Sequence, residues 1–564
     1  MFVKEARKSV HFVVPALLGA LLLASCTSTT PSDGPSPSDN PSAAEKQTVL
    51  IGDIEVSAVS SLDVDRPDNG SNPVQLEGFV PALGESLADY AAQEVAWEEC
   101  DDEYMCAEVY VPEDYDAPGT QAITLFLRKV EASQEPKIGT LFVNPGGPGE
   151  PGSDAATWFP TDGLEQYDIV GWDPRGTGWS TPIVCMDAAA TDKYFELDFS
   201  PDDDTERAAL LAGSKSFSDA CWQGSGDYLK YISTEETARD LDLLRQLVGD
   251  EKLNYFGYSY GTSIAGWYLE LFPTTVGKIV ADSAAALIKK DEVLQVSGFE
   301  AALNRFAEWA PEEGWDLGST KEEVLENIDS FFTELDAKPI IVEVELDEET
   351  GETEERELTQ SLALTGFLYT LYSGEDGWVE ADAALTEAMS GDGEYLLSLA
   401  DLMNTRNGPE DYGAAAYAFP AISDVDQGNQ GVLDADKRWD EEKTAAPILG
   451  KYWGPDYLNS VWAVPSLTEL TITGAQSAPA FLVIGITGDP ATPYAQSEAF
   501  AAHYTQSVLL TMDGEGHGAF GGYSTCIDEA VVAYLAEGKL PAAGTVCEVD
   551  LYEDEEEFEL ETEE

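Results

Sequence analysis

The chain has 564 residues, with 107 Asp plus Glu against 29 Lys plus Arg and a formal net charge of −78. A field of that sign repels phosphates, which excludes nucleic acid as a partner, and its spread over the whole chain favours a solvated acidic surface over a specific attraction of cationic peptides. The length exceeds one ordinary domain and predicts a core with an additional domain.

The N-terminus predicts a bacterial lipoprotein signal over residues 1–26. Basic residues precede an apolar run at 12–24 that is too short for a comfortable transmembrane helix, and small residues lead to Cys26. Cys26 is then the lipidation site, with an ordinary signal-peptide cysteine as the alternative. We expect an extracytoplasmic protein, held to the membrane only through acyl chains on Cys26 or secreted, with 27–75 as a Ser/Thr/Pro-rich flexible tether and N-terminal extension.

Six cysteines remain after Cys26, an even number in an exported chain, which indicates disulfides. We favour nearest neighbours, because each such pair flanks one local loop. These pairs are Cys100 with Cys106, Cys185 with Cys221, and Cys526 with Cys547. No Cys/His grouping has the spacing of a zinc site, so we predict no metal, and nothing in the sequence calls for a cofactor.

Eight apolar, β-branched runs predict strands, with helical patterns between most of them. They lie near 107–112, 122–130, 138–144, 167–172, 253–258, 277–282, 480–486 and 507–512. Such alternation indicates an α/β fold with a mostly parallel eight-stranded sheet covered on both faces. Sheets of this class bind ligands at the carboxyl ends of their strands.

A nucleophile elbow is predicted at 257–261, where the sequence GYSYG places Ser259 between two glycines, after a strand and before a helix. Small residues let the backbone turn sharply while the serine hydroxyl stays exposed. The Gly/Pro-rich loop at 144–149 follows the third strand, and its glycines permit close approach to a developing oxyanion. We expect the backbone amides of Gly147 and Tyr260 to form the oxyanion hole.

Strand and helix alternation stops between about 285 and 460, where amphipathic helices and a hairpin predict an inserted, mainly helical cap domain. The predicted divisions after the tether are a first core part at 76–285, the cap at 286–460, a second core part at 461–550, and an acidic tail at 551–564. A cap over an elbow excludes water and narrows access, which favours small or terminal substrates.

The base and the acid follow by elimination among few candidates. His517 lies in a Gly-rich loop after the last strand, whereas His503 lies on a predicted helix face. Asp489 ends the seventh strand and begins a proline turn that aims its carboxylate, and Asp282, at the end of the sixth strand, is the alternative acid. The order Ser259, Asp489, His517 is that of α/β hydrolases.

The motifs together resemble a known family. They are NPGGPG at 144–149, DPRGTG at 173–178, GYSYGT at 257–262, DPATP at 489–493 and GH at 516–517. This set resembles the secreted tripeptidyl aminopeptidases of actinobacteria, which are α/β-hydrolase relatives of prolyl iminopeptidases. The resemblance is dense in the two catalytic segments and thin between about 285 and 455. It implies an α/β-hydrolase fold and the same three catalytic residues.

The resemblance further implies an exported serine exopeptidase whose partners are peptides with a free N-terminus. An ammonium buried without an anionic partner is costly, so carboxylates near the serine are expected to bind it. The candidates are Glu150, where the family usually has a small residue, and Asp424 and Asp426, where it often has cysteine. A carboxylesterase or another α/β hydrolase on small esters is the alternative, and a non-catalytic lipoprotein is a further one.

Overall fold

The computed structural model describes residues 48–58, 71–100, 104–314, 317–347, 351–428, 430–466 and 469–550. The predicted signal peptide with Cys26, much of the predicted tether and the predicted acidic tail lie outside these residues. Within them, no helix combines the length and the apolar character needed to span a bilayer.

The chain alternates strands and helices through most of its length. The strands are β1 (Thr48–Ile51), β2 (Ile54–Ser57), β3 (Val80–Pro81), β4 (Glu98–Cys100), β5 (Tyr104–Pro112), β6 (Gln121–Val130), β7 (Gly139–Asn144), β8 (Tyr167–Trp172), β9 (Leu253–Tyr258), β10 (Val276–Asp282), β11 (Ile340–Asp347), β12 (Glu352–Leu358), β13 (Arg406–Gly408), β14 (Asp411–Tyr412), β15 (Phe481–Gly488), β16 (Ser507–Glu515) and β17 (Val546–Glu548). The helices are α1 (Leu87–Ala91), α2 (Gly152–Trp158), α3 (Ala188–Phe195), α4 (Asp204–Ser225), α5 (Thr234–Leu247), α6 (Gly261–Leu271), α7 (Gln295–Glu313), α8 (Lys321–Ala337), α9 (Gln360–Leu371), α10 (Glu375–Met389), α11 (Glu394–Met403), α12 (Ala415–Asp426), α13 (Val432–Ala445), α14 (Leu449–Trp453), α15 (Tyr457–Val461), α16 (Tyr494–His503) and α17 (Thr525–Glu537).

An eleven-stranded sheet forms the centre of the molecule, in the order β17-β16-β15-β10-β9-β7-β8-β6-β5-β4, with β3 beside β6. The strands from β17 to β8 are parallel neighbours, and β6, β5, β4 and β3 pair antiparallel. The prediction of a mostly parallel sheet is confirmed, and all eight predicted strands belong to it. The three additional strands have two or three residues each, too few to show a period in sequence.

The sheet brings the predicted functional loops to one edge. Strands β7, β9, β15 and β16 are parallel and end at Asn144, Tyr258, Gly488 and Glu515. Because the carboxyl ends of parallel strands meet at the same edge, the four loops that follow them converge there.

A second apolar cluster lies outside the sheet and is built mainly by α7 to α11 with α14. Its aromatic rings pack in pairs, with ring centroids 5.7 Å apart for Trp309 and Trp378 and 6.1 Å apart for Phe306 and Phe367. The hairpin of β11 and β12 was also predicted and packs into the same cluster through Val342. This body is the cap that the sequence predicts.

Two segments pack against parts of the protein other than those to which the sequence assigned them. Helix α12 lies within 286–460, yet its buried residues Ala418, Ala421, Ile422 and Val425 join the core cluster of the sheet. The hairpin of β1 and β2, which the sequence places in the tether and extension, packs against α4 and α13. The folded part of the N-terminal extension therefore begins by residue 48.

The structure contains three disulfides, and they join the nearest-neighbour pairs. Cys100 bonds Cys106 across β4 and β5, Cys185 bonds Cys221 of α4, and Cys526 of α17 bonds Cys547 of β17. Each closes a short local loop, as the pairing by proximity in sequence predicts.

Arg175, in the DPRGTG motif, is fully buried and holds parts of the fold together. Its guanidinium donates two hydrogen bonds to Asp240, from Nε at 2.8 Å and from one terminal nitrogen at 2.7 Å. The other nitrogen donates to the carbonyls of Tyr231 at 2.7 Å and Glu113 at 2.9 Å. The motif therefore locks the loop after β8 onto α5, which carries Asp240.

We expect Asp240→Ala to lower the free energy of unfolding by about 3–5 kcal/mol, because it removes both carboxylate hydrogen bonds of the buried Arg175 and leaves only Glu236, 4.0 Å away, as a counter-ion. Denaturant unfolding followed by tryptophan fluorescence measures this loss. The exposed ion pair of Lys215 and Asp219 is the control, and Asp219→Ala is expected to cost under about 1 kcal/mol. Similar losses in the two variants would contradict the structural role of Arg175.

Candidate active site

Ser259 occupies a sharp turn between β9 and α6 and has a φ of 53°, which a side chain other than glycine rarely adopts. Both flanking glycines are required, because neighbouring atoms leave no room for a side chain. A Cβ on Gly257 would lie 2.5 Å from the carbonyl oxygen of Gly261, and a Cβ on Gly261 would lie 2.9 Å from Oδ1 of Asn144. The predicted elbow is therefore present, with the strained serine directed to the edge of the sheet.

His517 and Asp489 form a buried pair at the same edge. The imidazole Nδ1 lies 2.8 Å from Oδ1 and 2.9 Å from Oδ2 of Asp489, and both side chains are at most 1% exposed. Since a carboxylate only accepts, Nδ1 carries the proton and Nε2 is the free ring nitrogen. The amides of Ala491 and Thr492 and the Thr492 hydroxyl donate to Asp489 at 2.8–2.9 Å and fix its orientation.

Nε2 of His517 is buried and has no hydrogen-bond partner among the described residues. The contact between Ser259 and His517 is thus the one link of the predicted triad that the structure does not form. Serine hydrolases without substrate often have such hydrogen bonds long or misaligned, and these tighten when substrate binds. The pair of Asp489 and His517 is already formed.

Asp282, the alternative acid, holds the histidine loop through backbone contacts. Its carboxylate accepts hydrogen bonds from the amides of Ala519 at 3.0 Å and Phe520 at 2.9 Å, and its own carbonyl accepts from the Ser259 amide at 2.9 Å. Burial raises the pKa of Asp282 more than the two amide hydrogen bonds lower it, and the net pKa is about 6. Asp282 therefore connects the elbow to the loop that carries His517.

His503, the alternative base, lies at the end of α16, where its Nε2 is 2.6 Å from a carboxylate oxygen of Asp291. His503 therefore lies on a helix, as the sequence predicts, and its imidazole contacts the Asp291 carboxylate. The structure thus brings His517, and not His503, to the acid loop.

The predicted oxyanion loop has glycines that the backbone requires. Gly147 and Gly149 have φ values of 104° and 96°, and a Cβ on Gly147 would lie 2.9 Å from the Gly149 amide. The backbone amides of Gly147 and of Tyr260, at the start of α6, donate no hydrogen bond to any other residue that the structure describes. Both donors are therefore available to a substrate oxygen.

The three candidate amine ligands lie in different surroundings. Glu150 is buried directly after the oxyanion loop. Asp424 is buried and accepts a hydrogen bond of 2.7 Å from the Asn459 amide group. Asp426 is half-buried and accepts from the amide of Thr234 at 3.0 Å and from its hydroxyl. Burial raises the pKa of Asp426 more than the hydrogen bonds from Thr234 lower it, and the net pKa is about 6.

Sequence reasoning missed two cap residues that contact the catalytic loops. Arg305 of α7 donates to the carbonyl of Gly488 at 2.9 Å, and its Nε lies 2.6 Å from a carboxylate oxygen of Glu515. Tyr372, after α9, packs edge-on against His517 with ring centroids 5.5 Å apart. Neither residue belongs to a motif, because their positions depend on how the cap docks on the sheet.

Two groups of carboxylates in the described part of the chain are close enough to share a cation. They are Asp198 with Glu206 and Asp336, and Asp202 with Asp203 and Glu206. Neither group contains a residue of the candidate active site.

The chain is similar to known hydrolases along most of its length. Residues 139–314 match the family described as alpha/beta hydrolase fold, and residues 446–547 match the family described as TAP-like protein. Serine protease Hip1 of Mycobacterium tuberculosis is 34% identical over 460 residues, which cover 78% of this chain and 87% of that protein. Tripeptidyl aminopeptidase of Streptomyces lividans is 28% identical over 487 residues, with 80% and 86% covered.

A third relative is named as an esterase and not as a peptidase. Carboxylesterase B of Mycobacterium tuberculosis is 32% identical over 463 residues, which cover 78% of this chain and 86% of that protein. These matches confirm the family that the motifs suggested. The chain is a serine hydrolase, and it belongs to the α/β-hydrolase family that includes the tripeptidyl aminopeptidases of Streptomyces and the serine protease Hip1.

Proposed function

We propose that this serine hydrolase is an exported exopeptidase that releases short peptides or single residues from the free N-terminus of peptides. The observation that carries the proposal is the buried pair of His517 and Asp489, on loops that leave the same edge of the sheet as the strained Ser259. In its relatives the names tripeptidyl aminopeptidase and serine protease describe peptide cleavage.

The proposed reaction proceeds in two steps through an acyl-enzyme. Ser259 Oγ attacks the scissile carbonyl while His517 Nε2 takes its proton, and the same proton passes to the leaving amine as the C–N bond breaks. A water molecule then attacks the ester, with His517 again as base, and Ser259 is restored. Asp489 keeps the proton on Nδ1 and stabilises the imidazolium.

The amides of Gly147 and Tyr260 are the proposed donors to the oxyanion. Removal of one such donor in other serine hydrolases lowers kcat by roughly 10²–10³. The unpaired state of both amides within the described residues supports this assignment. Their charge stabilisation acts in the transition state, which raises kcat rather than affinity.

Glu150 is the amine ligand that the surroundings favour most. It is buried beside the oxyanion loop, and it lies near the cap residue Tyr369. Burial raises the pKa of Tyr369, and the negative charges of Glu380 and Glu150 raise it further. The charge of Glu150 from the core and that of Glu380 from the cap thus act on the same side chain, and in this proposal Glu150 is the anionic partner of the peptide ammonium.

Export and the lipid anchor are part of the same proposal. They depend on the signal at 1–26 and on Cys26, which lie outside the described residues. The three disulfides support an oxidising compartment, since such bonds persist mainly outside the cytoplasm. Hydrolysis of small esters is the second candidate activity, favoured by the relative named carboxylesterase B.

We expect chromogenic peptides with a free amine to be cleaved, and the same peptides to lose about 100-fold or more in kcat/KM when acetylated, because the ammonium contacts are lost. Glu150→Gln is expected to lower kcat/KM on free-amine peptides by roughly 10-fold to 100-fold. Glu387→Gln, at an exposed position of α10, is the matched control. Efficient cleavage of acetylated peptides would reject amine recognition and favour an esterase or endopeptidase.

A further inference from the structure

Helix α12 contacts the loop that carries one of the proposed oxyanion donors. A Cβ on Gly149 would lie 2.7 Å from the Phe419 amide nitrogen and 3.1 Å from the Ala418 carbonyl carbon. The backbone of the loop therefore rests directly on α12, two residues after Gly147. No side chain larger than hydrogen fits between them.

The C-terminal end of the same helix connects to the other proposed donor. Asp426, the last residue of α12, accepts hydrogen bonds from the amide and the hydroxyl of Thr234, the first residue of α5. The Thr234 hydroxyl oxygen lies 2.6 Å from the phenol oxygen of Tyr260. Three side chains thus link α12 to the residue that follows Ser259.

Chemistry sets the direction of this chain of hydrogen bonds. The single hydroxyl proton of Thr234 goes to Asp426, because a carboxylate only accepts. The phenol of Tyr260 then donates to the Thr234 oxygen. Burial raises the pKa of Tyr260, and the charge of Asp426 raises it further, so the phenol keeps the proton that it donates.

We propose that Asp426, acting through the Thr234 hydroxyl and the Tyr260 phenol, positions the backbone amide of Tyr260 for the oxyanion. The inference rests on the proposed role of this amide in catalysis. It makes Asp426 a positioning residue instead of an amine ligand, since both of its oxygens accept from Thr234. Helix α12 then supports both halves of the oxyanion hole, one through Gly149 and one through Asp426.

The test uses Tyr260→Phe, which keeps the backbone amide and removes the phenol oxygen, and Asp426→Asn. We expect each to lower kcat on free-amine peptides by about 10-fold or more with KM within about 2-fold, since displaced donors act on the transition state. Phosphonylation by a fluorophosphonate, which has no amine, should slow by the same factor. The double variant should be no slower than the worse single variant.

A second Tyr–Thr–Asp cluster in the cap provides the control. There the Tyr452 phenol lies 3.0 Å from the Thr333 hydroxyl and donates to Asp329 at 2.7 Å, and Tyr452→Phe is expected to keep wild-type rates. Wild-type rates for Tyr260→Phe, or additive losses in the double variant, would overturn the inference. So would a loss in Asp426→Asn confined to free-amine peptides, which would make Asp426 an amine ligand.

The proposed exopeptidase function is judged separately from this inference. If the wild-type enzyme cleaved acetylated peptides, the amine-recognition proposal would fail, whereas the fluorophosphonate rates would still measure the oxyanion hole. If Asp426→Asn fails to fold, Tyr260→Phe and Thr234→Val carry the same comparison, and unchanged phosphonylation in both overturns the inference.

Discussion

Ser259→Ala is expected to lower kcat by a factor on the order of 10⁶, leaving a folded protein that still binds peptides. The hydroxyl is the nucleophile that the protein supplies in the proposed mechanism, and the strained turn that presents it is determined by the two glycines and by the backbone hydrogen bond to Asp282. Steady-state kinetics and near-ultraviolet circular dichroism together measure both effects.

Ser263→Ala provides the control for this prediction. Ser263 lies on α6, the helix that follows the nucleophile. It is expected to keep wild-type kcat and to react with a fluorophosphonate at the wild-type rate. Labelling that persists in Ser259→Ala would show that another residue is the nucleophile, and the assignment would then fail.

Asp489→Asn is expected to lower kcat by about 10⁴ with little change in stability, because an amide in place of the carboxylate favours the wrong imidazole tautomer. The backbone amides of Ala491 and Thr492, which both donate to Oδ1, still hold the side chain through the asparagine oxygen. The kcat of the variant against pH, compared with wild type, measures the loss over the full range.

Asp282→Asn distinguishes the two acids. Asp282 accepts from the amides of Ala519 and Phe520, and an asparagine oxygen still accepts from them. We expect a loss in kcat well below that of Asp489→Asn. The reverse order of the two losses would assign the acid to Asp282 and would leave the nucleophile and the base unchanged.

The sheet was predictable because its strands are buried and long enough to show a pattern. Strand β8, for example, is buried along its whole length, and Asp168 is the one charged residue in a sequence that is otherwise apolar, aromatic or glycine. Strands such as β3, with two residues, contain no such pattern. The order of the strands depends on pairings between distant segments, which periodicity along the chain does not contain.

The candidate site was predictable where a local turn determines the chemistry. Ser259, Asp489 and His517 each follow a strand, and each is flanked by glycine or proline that marks a turn. The network of Tyr260, Thr234 and Asp426 was not predictable, because it joins three elements by side-chain contacts. For the same reason the sequence suggested Asp426 as an amine ligand, because its hydrogen bonds to Thr234 cannot be read from the sequence.

Arg305 has a consequence for the engineering of this enzyme. It lies on the cap helix α7, yet it donates a hydrogen bond to the carbonyl of Gly488, next to Asp489. It also pairs with the carboxylate of Glu515, two residues before His517. A cap domain transferred from a relative to change substrate preference would lack these two contacts. They would be kept only if its first helix had an arginine at the position of Arg305. Graft boundaries are therefore better drawn to leave α7 with the recipient and to exchange the helices beyond it.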